Sequence, residues 1–161
     1  MPSKIVQLEQ LPARAAAFRA EGKKLVATNG CFDLLHVGHV RYLTAARALG
    51  DVLVVGVNGD ASTRALKGSD RPVNNEKDRA EVIAALGCVD VVTIFPDVRA
   101  VHFLELAAPA IYVKGGDYAI DSLDAAEREV LERVGAKICI IPFEKGYSTS
   151  ALLEKLNRPA K

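Results

Sequence analysis

Short apolar runs rich in β-branched residues alternate along this chain with stretches of helical periodicity. The runs predict strands at 24–28, 52–57, 89–95, 111–113 and 137–141. Helices are expected at about 8–20, 39–49, 75–86, 98–107 and 123–134, with a last one from about 148. The run Val52–Val57 has no polar residue, which is typical of a strand buried on both faces of a parallel sheet. The alternation predicts an α/β fold, namely a Rossmann-like, doubly wound, parallel five-stranded sheet with helices on both faces.

Composition supports one domain and argues against a highly charged partner. The chain has 161 residues, of which 50% are hydrophobic and 25% charged, so we expect a single domain over residues 1–161 with its core at about 24–157. Its 21 Lys and Arg against 20 Asp and Glu leave a net charge of +1. Neither a nucleic acid nor a membrane surface is therefore an expected partner, and a phosphate ligand would have to be held locally.

The cysteines and the N-terminus indicate a cytoplasmic protein. Cys31, Cys88 and Cys139 are more than 50 residues apart and form no C-x-x-C pair, so neither a zinc ribbon nor a disulfide framework is indicated. The N-terminus has no apolar leader, and no apolar run approaches the roughly 20 residues of a membrane span. We expect reduced thiols and no dedicated metal site.

The residues that follow the first predicted strand carry the strongest chemical signal. His36, Gly38 and His39 form an H-x-G-H sequence at the start of a helix, where ligands collect at the carboxyl edge of a parallel sheet. Free backbone N–H groups and the helix dipole attract phosphate there, Gly38 permits close approach, and the two imidazoles add donors. No dinucleotide fingerprint and no P-loop occurs. The pattern favours phosphoryl or nucleotidyl transfer; the alternative is that both histidines only cap and pack the helix.

The segment TNGCFDLLHVGH, residues 28–39, resembles the H-x-G-H motif of the cytidylyltransferase-like nucleotidyltransferases. Residues 61–68, 71–74, 113–118 and 146–150 narrow the resemblance to bacterial D-glycero-D-manno-heptose 1-phosphate adenylyltransferases, over about residues 24–157. It implies transfer of AMP from ATP to a heptose 1-phosphate for lipopolysaccharide or capsule precursors, with Mg²⁺ on the triphosphate. That family is often fused to a sugar kinase, which 161 residues cannot hold, so a stand-alone form is expected.

Two other functions remain open at this point. One is a cytidylyltransferase that acts on glycerol 3-phosphate, ethanolamine phosphate or a similar small phosphate. Residues 143–150, FEKGYSTS, differ from the Arg-Thr start and Ile-Ser-Thr-Thr end of glycerol-phosphate cytidylyltransferases, which weakens that interpretation. The other is a nucleotide-sensing module that binds ATP without turnover. A homodimer or higher homo-oligomer is also expected.

The resemblance implies a role for each of its matching residues. The expected catalytic residues are His36, His39 and Lys114. The nucleotide is expected to contact Asn29, Gly30, Cys31, Phe32, His36, Gly38, His39, Gly115, Gly116, Asp117, Tyr147, Ser148 and Thr149. The sugar phosphate is expected to contact Asp33, Lys67, Arg71, Arg79 and Lys114.

Several of these residues also have a purely structural explanation. Ser148 and Thr149 could simply cap the last helix. Arg71 and Arg79 lie in a polar segment that is either a mobile flap over substrate or merely solvated. Cys31 is either a redox-sensitive thiol or a small buried filler. Asp33 is expected to brace the turn, and His102 is assigned to packing or to the surface.

Overall fold

The computed structural model describes residues 3–116, 120–142 and 146–156. Within them, five strands form one parallel sheet, with the strands in the order β3-β2-β1-β4-β5. Their bounds are β1 Leu25–Gly30, β2 Val52–Asn58, β3 Val91–Phe95, β4 Ile111–Gly115 and β5 Lys137–Ile141. The doubly wound parallel sheet predicted from the sequence is confirmed.

Seven α-helices lie in the described part of the chain. They are α1 Leu11–Ala20, α2 Val37–Arg47, α3 Asp60–Lys67, α4 Glu76–Ala84, α5 Val101–Ala107, α6 Ala125–Arg133 and α7 Thr149–Leu156. The sequence predicted six of them to within a few residues and missed α3. Its buried residues are Ser62 and Thr63, so α3 buries small hydroxyl side chains where α1, α2, α4, α5 and α6 bury large apolar ones.

The sheet divides the apolar core into two layers. Successive side chains of a strand point to opposite faces, and here Leu53 and Val54 of β2 belong to different clusters. One cluster contains buried residues of α1, α5 and α6, and the other contains buried residues of α2 and α4. Helices therefore cover both faces, as predicted.

Strand order reverses between β1 and β4, since the chain runs outward from β1 to β3 and then returns to the other side of β1. Both strands extend further than predicted, to Gly30 and Gly115 instead of 28 and 113. Tyr42 links them here: its hydroxyl donates to the carbonyl of Val113 (3.1 Å) and lies 2.6 Å from Thr28 Oγ1. The carboxyl ends of β1 and β4 thus frame the crevice in which a doubly wound sheet binds its ligands.

Candidate active site

The loop between β1 and α2 turns sharply around Phe32. This residue has a φ of 45°, in the left-handed region that residues other than glycine seldom occupy. Its ring folds back onto Gly30, where a Cβ would lie 3.1 Å from Phe32 Cε2. The chain then enters α2 from His36, which is extended. This path brings the backbone of Cys31 and the side chains of His36 and His39 to one place.

The imidazoles of His36, just before α2, and His39, in the first turn of α2, are stacked, with ring centroids 3.9 Å apart. The backbone N–H of His36 donates to His39 Nδ1 at 3.3 Å, so in the neutral ring the proton sits on Nε2. Burial, and to a lesser extent the electrostatic effect of His36, lowers the pKa of His39 to about 4. Burial also lowers the pKa of His36. Both rings are therefore neutral hydrogen-bond donors at pH 7 in the unliganded protein.

Asp33 fixes the segment 71–74 against this loop. Its carboxylate accepts from the backbone N–H groups of Val73 (2.9 Å) and Asn74 (3.0 Å) and from Arg71 Nε (2.5 Å). Burial alone would raise the pKa of Asp33, but the bonds from Asn74, Val73 and Arg71 outweigh it and hold the pKa below its usual value. The solvated alternative for Arg71 is wrong, since its side chain is only 15% exposed.

Arg79 is buried behind the loop. Its three nitrogens donate to Asn74 O (3.0 Å), Cys31 O (2.5 Å) and Asp60 Oδ1 (2.8 Å), and the residue is 1% exposed. The expectation of a solvated Arg79 is wrong, because the residue is buried and each nitrogen of its guanidinium donates to a protein acceptor. Arg79 lies outside the cavity and positions the carbonyl of Cys31.

A cavity of about 450 Å³ opens at this edge of the sheet. Most of the predicted residues line it: Asn29, Gly30, Cys31, Phe32, Asp33, His36, His39, Lys67, Arg71, Lys114, Gly115, Tyr147, Ser148 and Thr149. Gly38, Gly116 and Arg79 do not line it, and Asp117 lies outside the described residues. Gly38 instead packs beneath His36, where a Cβ would lie 2.9 Å from the Nδ1 atom of that ring.

The two candidate lysines reach the cavity from different elements. Lys67 is the last residue of α3, a helix that the sequence analysis did not predict, and it is exposed. Lys114 lies near the end of β4, and its Nζ is 3.5 Å from the hydroxyl of Tyr112, which donates to Asn29 Oδ1 at 2.7 Å. The Tyr112 hydroxyl thus links Lys114 of β4 to Asn29 of β1, the two strands between which the strand order reverses.

The start of α7 lines the cavity beside the start of α2. Ser148 Oγ accepts the backbone N–H of Ala151 at 3.0 Å, so the predicted capping role of Ser148 is confirmed. Thr149 Oγ1 donates to the carbonyl of Leu34 at 3.2 Å and so ties α7 to the loop after β1. The guanidinium of Arg41 lies 5.6 Å from the centre of the Tyr147 ring.

Sequence reasoning missed several cavity residues: Tyr42, Asn58, Leu66, Val98, Arg99, Glu127 and Ser150. One signal was available, because Asn58 is the polar end of an otherwise apolar strand. Glu127 carried no such signal, since a glutamate in a charged helix is ordinarily solvated. His102 lies on the surface, one of the two positions expected for it, with its side chain 56% exposed.

The remaining chemistry of the described residues is limited. They contain no group of three or more His, Cys, Asp or Glu side chains suited to hold a metal ion. All three cysteines are free and half-buried, and Cys31 lies in the wall of the cavity, beside the space that a ligand would occupy. Across the described ranges, no helix combines the length and the apolar character needed to cross a bilayer.

Comparison with known proteins gives consistent results. A family model described as cytidylyltransferase-like matches residues 27–155. The bifunctional protein HldE of Geobacter sulfurreducens is 46% identical over 154 residues, and that of Citrifermentans bemidjiense is 50% identical over 154 residues. The alignments cover 96% of this chain but only 31% of those relatives, so the chain spans about a third of their length.

Solved structures add to this picture. The lipopolysaccharide core biosynthesis protein of Thermoplasma volcanium GSS1 superposes with a TM-score of 0.63 at 30% identity, over 79% of this chain and 100% of that one. A pantoate-β-alanine ligase from Francisella tularensis, solved with an ATP analogue and β-alanine, superposes with a TM-score of 0.59 at 14% identity, over 88% and 67% of the two chains. At that identity the ligase shows the shared fold alone.

Proposed function

The chain belongs to the cytidylyltransferase-like family and is a nucleotidyltransferase, and on this premise we propose that it transfers AMP from ATP to a heptose 1-phosphate. The products would be ADP-heptose and pyrophosphate. The observation that carries the proposal is the meeting of His36, His39 and Lys114 in one cavity at the strand-order reversal. The resemblance of the sequence to heptose 1-phosphate adenylyltransferases supplies the acceptor.

The proposed reaction needs no nucleophile from the protein. An oxygen of the sugar phosphate attacks the α-phosphorus of ATP in line, and the bond from that phosphorus to the pyrophosphate oxygen breaks. His39 Nε2–H and His36 would donate to phosphate oxygens, and Lys67 and Lys114 would offset negative charge. The N-terminus of α7, with Ser148 and Thr149, would bind the β- and γ-phosphates.

Magnesium enters this proposal with the substrate. The cavity is lined by Lys67, Arg71 and Lys114. Of its two carboxylates, Asp33 is engaged by Arg71 and two backbone N–H groups, and Glu127 accepts the backbone N–H of Ala100. Such a wall suits the oxygens of a triphosphate better than it suits a cation. We therefore propose that Mg²⁺ arrives bound to ATP, as is usual for a cation that retains water and substrate phosphates as ligands.

A screen of nucleotides against acceptors tests the function. Pyrophosphate release is measured with ATP and with CTP, each with heptose 1-phosphate, glycerol 3-phosphate and ethanolamine phosphate. We expect turnover with ATP and heptose 1-phosphate. Preference for CTP with a small acceptor would establish the alternative cytidylyltransferase, and ATP binding without turnover on any acceptor would leave only a nucleotide-sensing module.

The histidine assignment has its own test and control. His39→Ala should lower turnover on the order of 10²- to 10³-fold, as the loss of one transition-state donor does. His102→Ala is the control, because it removes an exposed imidazole from the surface of α5. Near-normal turnover of the His39 variant would refute the catalytic assignment.

The wider setting forms part of the same proposal. The 161-residue chain should be active when purified alone, without an attached kinase domain, and should work in the cytoplasm on precursors of lipopolysaccharide or capsule. We also propose a homodimer or higher homo-oligomer. A light-scattering mass equal to that of the 17.2 kDa monomer would reject the oligomer.

A further inference from the structure

One part of the cavity contains polar side chains that phosphate chemistry does not require. Asn58, at the end of β2, and Glu127, in the first turn of α6, both line the cavity although they are only 2% and 4% exposed. A carboxylate repels phosphate, so Glu127 is out of place in a site built only for polyphosphate. Its presence calls for a ligand group that donates hydrogen bonds.

Both side chains meet the loop between β3 and α5. Asn58 Nδ2 donates to the carbonyl of Asp97 at 3.2 Å and lies 3.4 Å from Ser62 Oγ. Glu127 Oε1 accepts the backbone N–H of Ala100, three residues after Asp97 in the same loop, at 2.8 Å. These contacts fix the two side chains relative to each other, because one short loop joins their partners.

Each of the two side chains keeps an acceptor atom. The amide of Asn58 uses its nitrogen on the loop, and its Oδ1 makes no hydrogen bond within the described residues. Glu127 uses Oε1, and in the described ranges no Lys or Arg forms an ion pair with it. Asp33 differs, since both of its oxygens are engaged. Asn58 and Glu127 therefore present acceptors in a cavity whose lining also includes the cationic side chains of Lys67, Arg71 and Lys114.

We propose that Asn58 and Glu127 bind hydroxyl groups of the sugar and make the acceptor site selective for a polyhydroxylated phosphate. This inference rests on the proposed function, since it assigns the acceptor end of the same cavity. A hydroxyl donates to Asn58 Oδ1 or Glu127 Oε2, and neighbouring hydroxyls can bridge the two. Glycerol 3-phosphate offers fewer hydroxyls than a heptose, and ethanolamine phosphate offers an ammonium group in their place, so the deoxy sugar analogues below are the test that is specific for hydroxyls.

The substitution Glu127→Gln separates recognition from packing. Glutamine keeps a carbonyl oxygen for the N–H of Ala100 but removes the charge that strengthens a hydrogen bond from a sugar hydroxyl. We expect kcat/KM for heptose 1-phosphate to fall about 10-fold, with the KM for ATP and the melting temperature unchanged. Glu132→Gln, an exposed position on the same helix, is the matched control.

Deoxy acceptors make the test specific for contact with the sugar. If Glu127 binds a hydroxyl, the analogue that lacks that hydroxyl should react equally well with the wild type and with Glu127→Gln. The inference is wrong if Glu127→Gln matches Glu132→Gln on heptose 1-phosphate, or if its loss is the same with every deoxy analogue. Should the variant not fold, the wild type still decides: equal kcat/KM for all analogues would refute recognition of hydroxyls.

The same experiment distinguishes the two proposals. If the wild type releases no pyrophosphate with any sugar phosphate, the proposed function is wrong and the inference falls with it. If the wild type is active on heptose 1-phosphate but Glu127→Gln and the deoxy analogues show no loss, the inference alone is wrong and the proposed function stands.

Discussion

Gly38 offers a sharp test of the H-x-G-H loop, because its substitution should affect activity and stability differently. An alanine Cβ at this position would lie 2.9 Å from His36 Nδ1, 3.0 Å from His36 Cε1 and 3.1 Å from Tyr147 Cβ. Carbon contacts are normally 3.5–4.0 Å. The His36 ring would therefore have to move by roughly half an ångström, and its stack on His39, at 3.9 Å, leaves little room on that side.

The effect on stability should be small because two terms oppose each other. Alanine is favoured over glycine inside a helix by about 0.8–1.0 kcal/mol. Turning the His36 ring away from its preferred rotamer costs about 0.5–1.5 kcal/mol. We expect the free energy of unfolding of Gly38→Ala to lie within about 1 kcal/mol of the wild type. Misplacing a reacting group by even about 1 Å can cost 10²-fold in rate, so we expect kcat/KM to fall about 10- to 100-fold.

The assay compares kcat/KM from pyrophosphate release with the free energy of unfolding in urea. Gly87→Ala is the matched control, because no atom would lie within 4 Å of its added Cβ. If Gly38→Ala kept the kcat/KM of the Gly87 variant, the packing of Gly38 under His36 would have no bearing on catalysis. A large loss of stability would show instead that the segment around Tyr147 cannot adjust.

Three further predictions address the charged groups of the site. The folded-state pKa of His39, about 4, is below the unfolded value of about 6.5, so the unfolded chain takes up the proton first. The free energy of unfolding should therefore fall by about 2–3 kcal/mol as the pH drops from 6.5 to 4. In urea unfolding, His39→Gln should show a weaker dependence of this free energy on pH. Arg79→Lys replaces three spread guanidinium nitrogens with a single ammonium nitrogen, which cannot reach all three acceptors in their present positions, and should lower the free energy of unfolding by about 3 kcal/mol in the same assay. Lys114→Ala should lower kcat/KM about 10²-fold with a melting temperature within a few degrees of the wild type, as measured by pyrophosphate release and thermal unfolding.

The strands could be predicted because each is a short apolar run set between polar turns. Val52–Asn58 is the extreme case, since all seven of its residues are buried. Helix α3 was missed for the opposite reason: it buries Ser62 and Thr63 against the end of β2, where Thr63 Oγ1 donates to the carbonyl of Asn58. Its one large apolar side chain, Leu66, is exposed, so the face that α3 buries is not marked by large apolar residues.

The site could be predicted where it is contiguous in sequence and not where the fold assembles it. His36 and His39 are three residues apart at a helix start, so their proximity follows from local geometry. Glu127 reaches the cavity because α6 packs beside α5 and bonds to Ala100, a relation between segments that lie 27 residues apart. Arg79 looked solvated because its neighbours are polar, but its partners Cys31 and Asp60 come from other elements.

The distribution of basic residues explains how a protein with a net charge of +1 can be built to bind a polyphosphate. Arg71 and Arg79 are committed to the protein itself, Arg71 to Asp33 and Arg79 to Asp60 and two carbonyls. Arg99, which also lines the cavity, pairs with Asp124. Arginine is suited to this structural role because its planar guanidinium can donate to several fixed acceptors at once. Lys67 and Lys114 present a movable point charge instead, and the neutral histidines add directed donors. Substitutions of Arg71 or Arg79 should therefore act first on stability and substitutions of Lys67 or Lys114 first on turnover, even though all four residues carry the same charge.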